Sequence, residues 1–133
     1  MSGIVDLDVL LKDMQPKLQS TEYVFCTIKP TETRVDVYQL DALAIIREDE
    51  GVTLILERRV AEKLKFLFEG TFKKITLHVH SSLTAVGLTA AFSTELAKNN
   101  ISANVIAGYY HDHIFVPSEQ AGLALKVLTG LTK

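Results

Sequence analysis

Hydrophobic and polar positions change period several times along this chain, and the longest readable stretch runs from Phe72 to Pro117. Ile75, Leu77 and Val79 alternate with Thr76, His78 and His80, a period of two that predicts a strand over Phe72–His80. From Ala85 to Asn100 the period becomes helical, with Leu88, Phe92 and Leu96 recurring every fourth residue. Ala103–Tyr109 and His113–Val116 then read as a second hairpin, stopped by Pro117. Ser118 is the expected cap of a last helix, with Ala121, Ala124, Leu125 and Leu128 as its buried stripe and Gly130 as its end.

Upstream the signals are shorter. Asp6 caps a small helix with Leu7, Leu10, Leu11 and Met14 on one side and Pro16 as its limit. Glu22–Lys29 is rich in β-branched and aromatic residues and predicts a strand. Thr31–Asp41 reads as a loop with at most one helical turn. Ala42–Arg47 and Val52–Leu56 flank Glu48-Asp49-Glu50-Gly51, which predicts a hairpin with Gly51 at positive φ. Val60, Leu64 and Leu67 predict a short helix closed by Gly70. Gly87 falls in the first turn of the long helix, where glycine costs about 1 kcal/mol against alanine. Close packing or room for a ligand would account for it.

Hairpin-then-helix thus occurs twice, at Ala42–Leu67 and Ala103–Leu128, each time after a strand. The first copy lacks the long helix that the second has. The expected fold is α+β: two ferredoxin-like βαββαβ units packed as one body, residues 1–70 forming the eroded unit and 71–133 the fuller one.

Composition narrows the function. At 133 residues with 47% hydrophobic and 23% charged side chains, the chain suits a folded domain pair rather than disorder. A net charge of −2 gives no footprint for nucleic acid or anionic lipid. No apolar run approaches the roughly 20 residues of a membrane span. The N-terminus does not read as a signal peptide, and the lone Cys26 fits a reducing cytoplasm. No nucleophile motif, phosphate loop or paired cysteines occur, so no catalytic residue, metal ligand or cofactor is assigned.

All four histidines lie in two H-x-H pairs, His78/His80 and His111/His113. Residues i and i+2 of a strand share a face, so each pair presents two imidazoles together. In a ferredoxin-like sheet the strands that bear them are neighbours. A metal site, a pH-sensitive interface and a plain polar sheet face are the three readings this leaves open.

The run HVHSSLTAVGLTAAFSTELAKNNISANVIAGYYHDHIFVP, with EYVFCTIKP upstream, resembles the ACT domain, a small regulatory module of amino-acid metabolism. Over nearly its full length the chain resembles stand-alone proteins with two tandem ACT-like units and no catalytic domain. That resemblance implies a non-enzymatic binding module, a homodimer holding an amino acid or similar small ligand. The implied site joins His80, Ser81, Ser82, Leu83, Val86 and Gly87 to the strand edge Asn104, Val105, Ile106 and Ala107. Two serines stand where many ligand-binding ACT domains carry an Asp/Asn-rich loop. A structural or protein-interaction module without ligand is the alternative, and a small metal-dependent enzyme using the H-x-H pairs a distant third.

Overall fold

The computed structural model describes residues 6–32, 35–78 and 87–133. They fall into two compact units. One comprises Thr21–Phe72 and the other Met1–Ser20 with Lys73–Lys133. The packing groups the segment before Thr21 with Lys73–Lys133.

The larger unit opens with helix α1 (Leu7–Lys12). The Asp6 carboxylate accepts from the amides of Asp8 and Val9, the cap expected from the sequence. Gln15 turns the chain at φ 43° into strand β1 (Pro16–Ile28). This strand starts six residues before the predicted Glu22. Lys17, Gln19 and Ser20 carry little strand propensity, and the strand forms there through its pairing. Strand β4 (Phe72–Leu77), helix α3 (Leu88–Lys98), strands β5 (Asn104–Ala107) and β6 (Asp112–Pro117) and helix α4 (Ala121–Gly130) complete the unit.

Its strand order is β1–β4–β6–β5, the order of a ferredoxin-like sheet whose fourth strand precedes the others in the chain. The amide of His78 donates to the carbonyls of Met14 and Gln15, at 3.0 and 3.4 Å, where β1 begins. β5 and β6 pair antiparallel with Val105 opposite Ile114 and Ile106 opposite His113. Ile75 and Leu77 of β4 and Ile114 and Val116 of β6 are buried in one core with Leu88, Phe92 and Leu96 of α3. Ala121, Ala124 and Leu128 of α4 and Leu10 and Met14 from the N-terminal segment close it.

Asn100 adopts φ 59° just past α3, as its tolerance of the left-handed region predicts. Gly87 is not in the first turn of α3. It is the residue before the helix, at φ 99°. A Cβ there would also lie 3.2 Å from Leu7 Cδ2, so backbone conformation and close packing both call for glycine. Ser118 sits inside a 3-10 turn (Ser118–Gln120) and α4 starts at Ala121 with no side-chain cap. Gly130 is the last residue of α4 rather than its stop.

The smaller unit pairs the later part of β1 with β3 (Val52–Glu57), and β3 with β2 (Ala44–Arg47). Val24, Cys26, Leu54, Leu56 and Ala61 form its core, under helix α2 (Arg58–Lys63). A three-residue 3-10 turn, Val37–Gln39, stands where the larger unit has the eleven-residue α3. That is the erosion legible in the sequence. Gly51 closes the β2–β3 hairpin for another reason than the one expected. It is not among the positive-φ residues, and a Cβ on it would meet the Ile28 carbonyl oxygen at 2.6 Å. α2 ends at Lys63 with Leu64 as its cap, and Lys65 at φ 60° turns the chain away five residues before Gly70.

Candidate functional site

His80, Ser81, Ser82, Leu83 and Val86, half of the residues assigned to a ligand, lie outside the described residues. Gly87 marks where their segment meets α3. The Gly87 carbonyl accepts the Ala91 amide at 2.9 Å, so the helix ladder starts there. Leu88, Thr89 and Ala90 supply first-turn amides that no earlier turn of the helix can bond, and Gly87 has no side chain to cap them. No acidic residue occupies that turn. Donors of this kind suit a carboxylate.

The strand part of the site is β5. Its order places it at the end of the sheet, where among the described residues it pairs with β6 alone. Asn104 and Ala107 are exposed, while Val105 packs on the core. The Asn104 side-chain amide donates to the Phe115 carbonyl at 3.5 Å.

The histidines come together. The Thr76 hydroxyl and His113 Nδ1 are 3.0 Å apart. His78 Nδ1 lies 3.2 Å from the Thr76 carbonyl, an acceptor only, so this nitrogen carries the proton. The His78 and His111 rings stand 5.1 Å apart between centroids, and His111 and His113 6.4 Å. Burial holds the His113 imidazole below its ordinary pKa, and Lys74, His111 and His78 push it the same way. Burial also lowers Lys74 and raises Asp112. Among the described residues no three His, Cys, Asp or Glu are grouped so as to hold a metal ion. His80 lies outside them.

Sequence reasoning missed two clefts in the smaller unit. One, of about 450 Å³, is lined by Thr21, Glu22, Glu57, Arg58, Arg59 and Glu62. Its charges are paired internally: Arg58 meets Glu22 at 3.1 Å and Glu62 at 3.5 Å, and Arg59 meets Glu57 at 3.3 Å. The other, of about 440 Å³, lies between the Val37–Gln39 turn and α2, with Asp36, Arg59 and Lys63 around Leu40, Val60 and Leu64. Opposite charges close together at Glu57, Arg58, Arg59 and Glu62 were the available signal. Neither cleft is lined by a residue of the predicted site. No described helix is long and apolar enough to cross a membrane.

Comparison with known proteins places this geometry. ACT-domain profiles match residues 2–73 and, separately, 68–130. The chain belongs to the ACT domain family, as two tandem units. Among solved structures it is similar to a Vibrio cholerae protein of unknown function, described as a possible transport protein. That protein is 49% identical, with TM-score 0.86 over 99% of this chain and 100% of the other. The regulatory subunit of Thermus thermophilus aspartate kinase, in its ligand-free form, shares the fold at 10% identity. Its TM-score is 0.68 over 92% of this chain and 99% of that one. An Agrobacterium tumefaciens protein does so at 15% identity and TM-score 0.72, over 88% and 87%. No curated protein sequence matches the chain.

Proposed function

We propose that this protein is a non-catalytic sensor that binds a small zwitterion, an amino acid above all, and acts through its association state or the orientation of its units. The observation that carries the reading is the start of α3. Its first-turn amides are headed by a residue with no side chain, next to the segment His80–Val86 and in the same unit as the β5 edge. A carboxylate would take the amides, and strand-edge carbonyls of Asn104–Ala107 would accept from the ammonium. Membership of the ACT family supports the ligand class, as does the likeness in fold to aspartate kinase regulatory subunits. The profiles occupy residues 2–130, which supports a binding role for this stretch. A cytoplasmic homodimer belongs to the same reading: Cys26 is a buried free thiol, and β5 leaves a strand edge for a second copy. Ligand binding would then shift the balance between states by its differential affinity for them.

Thermal melts against the twenty amino acids test this. A ligand at 100 times its dissociation constant adds about 2.7 kcal/mol. In a chain of this size that is a rise of roughly 10 °C. Ser81→Ala with Ser82→Ala should abolish the rise while lowering the unliganded midpoint by much less. Flat melts with all twenty would refute the reading.

A further inference from the structure

Erosion of the smaller unit leaves part of its surface uncovered. In the larger unit α3 packs beside α4. In the smaller one the three-residue Val37–Gln39 turn stands beside α2, and a cleft of about 440 Å³ opens between them. Clefts of about 300–1,000 Å³ are those that take small molecules. Val60 and Leu64, one helical turn apart, give the cleft an apolar stripe, and Leu40 lines it from the end of the 3-10 turn. Arg59 and Lys63, also one turn apart, line it beside that stripe. We propose that this cleft binds a small monocarboxylate with a compact apolar body and no ammonium group.

The charges support it first. Among the described residues Lys63 has no ion-pair or hydrogen-bond partner. Arg59 meets Glu57 through Nε at 3.3 Å, which leaves its two terminal nitrogens to donate to a ligand. Asp36, the third charge of the lining, spends one carboxylate oxygen on the Tyr38 amide at 3.0 Å. Two cations against one carboxylate leave the lining with a surplus positive charge. Such a lining favours a ligand of net negative charge over a zwitterion of none. The neighbouring cleft has no such surplus, since its two arginines face three glutamates. The apolar groups support the proposal second. Leu40 packs on the core of the unit, whereas Leu64 stays 45% exposed. A hydrocarbon body laid on Leu40, Val60 and Leu64 would take that surface out of water.

Ion pairs at an exposed rim are weak and screened by salt, so neither half of the cleft suffices alone. The ligand class is set by both: a carboxylate for Arg59 and Lys63, and hydrocarbon for the stripe beside them. This inference does not depend on the amino-acid reading, which uses other residues, another unit and a ligand that carries an ammonium group.

The test uses the full chain, labelled with ¹⁵N and titrated at constant ionic strength with isocaproate, acetate and leucine. Isocaproate should shift the amides of Leu40 and Val60–Leu64 saturably and leave those of Leu88 and Thr89 in place. Acetate keeps the carboxylate without the body, and should bind at least about tenfold more weakly. Leucine has the same body with an added ammonium, and should bind severalfold more weakly than isocaproate. Arg59→Gln with Lys63→Gln should weaken isocaproate binding by about tenfold and make what remains insensitive to added salt. Leu64→Ala should weaken isocaproate severalfold and leave acetate unchanged, a split that a loss of folding would not produce. The absence of a saturable shift, equal binding of acetate or of leucine, or an unchanged affinity in the double variant would overturn the site. So would an isocaproate response confined to Gly87–Thr89.

Discussion

Replacing Gly87 by alanine separates two accounts of how α3 begins, because they disagree in sign. In the first turn of a helix, glycine to alanine stabilises by up to about 1 kcal/mol. In the structure Gly87 precedes the helix at φ 99°, a conformation in which an L-residue is strained by about 1–2 kcal/mol. The new methyl would also sit 3.2 Å from Leu7 Cδ2. A flexible side-chain end yields by a few tenths of an ångström, so this overlap adds only about 0.5 kcal/mol. The sum is a loss of about 1.5–2.5 kcal/mol. With an unfolding entropy of about 2.1 cal/mol/K per residue, 133 residues give roughly 3–4 °C per kcal/mol, hence a midpoint lowered by about 5–9 °C. Urea titration with an unchanged m value would confirm that stability alone moved. Leu7→Ala as background removes the overlap but not the backbone strain, so Gly87→Ala should still cost about 1–2 kcal/mol there. A neutral or stabilising Gly87→Ala would refute the assigned helix start.

Gly51→Ala should cost more than most surface changes, about 2–3 kcal/mol in urea unfolding, because its Cβ meets a backbone oxygen that cannot swing away. Phe92→Ala empties the fully buried centre of α3 and should cost about 3–5 kcal/mol by the same measurement. For pH, the sign follows from proton counts. His113 has a folded pKa below its ordinary 6.5, so the unfolded chain takes up the proton first. Its contribution to stability is therefore complete above about pH 6.5 and is lost as pH falls through the lower folded value. His113→Gln should flatten that part of the stability profile, measured as urea midpoint against pH. An unchanged slope would mean that the ring is not shifted.

Much of the larger unit was legible because its signals are local. Leu88, Phe92 and Leu96 announce one helical face, Asp6 a cap, and Asn100 a left-handed end, and each is found so. The adjacency of the two histidine-bearing strands was legible too, through the strand order of the fold class. What escaped was decided at a distance. Lys17–Ser20 carry no strand pattern of their own and are strand, since pairing partners lie more than fifty residues away. Gly51 read as a turn glycine, but its constraint is the carbonyl of Ile28 on a neighbouring strand. Lys65 gives no warning that it will turn the chain after α2, as lysine has no preference for positive φ. Nor does composition reveal that residues 1–20 pack with 73–133. Of the candidate site, the residue types came from family resemblance. Gly87 had a signal of its own as well, a costly glycine beside a helical pattern, and His80 one in its H-x-H pair.

The central claim is that a small zwitterion sits where α3 begins and along β5. Its most direct test is to add each of the twenty amino acids to uniformly ¹⁵N-labelled protein and follow the amide resonances. The account predicts that at least one amino acid shifts the amides of Gly87, Leu88 and Thr89 together with those of Asn104–Ala107, leaving the smaller unit largely unmoved. Spectra unchanged by all twenty, or shifts confined to the Arg58–Lys63 helix and its clefts, would contradict it.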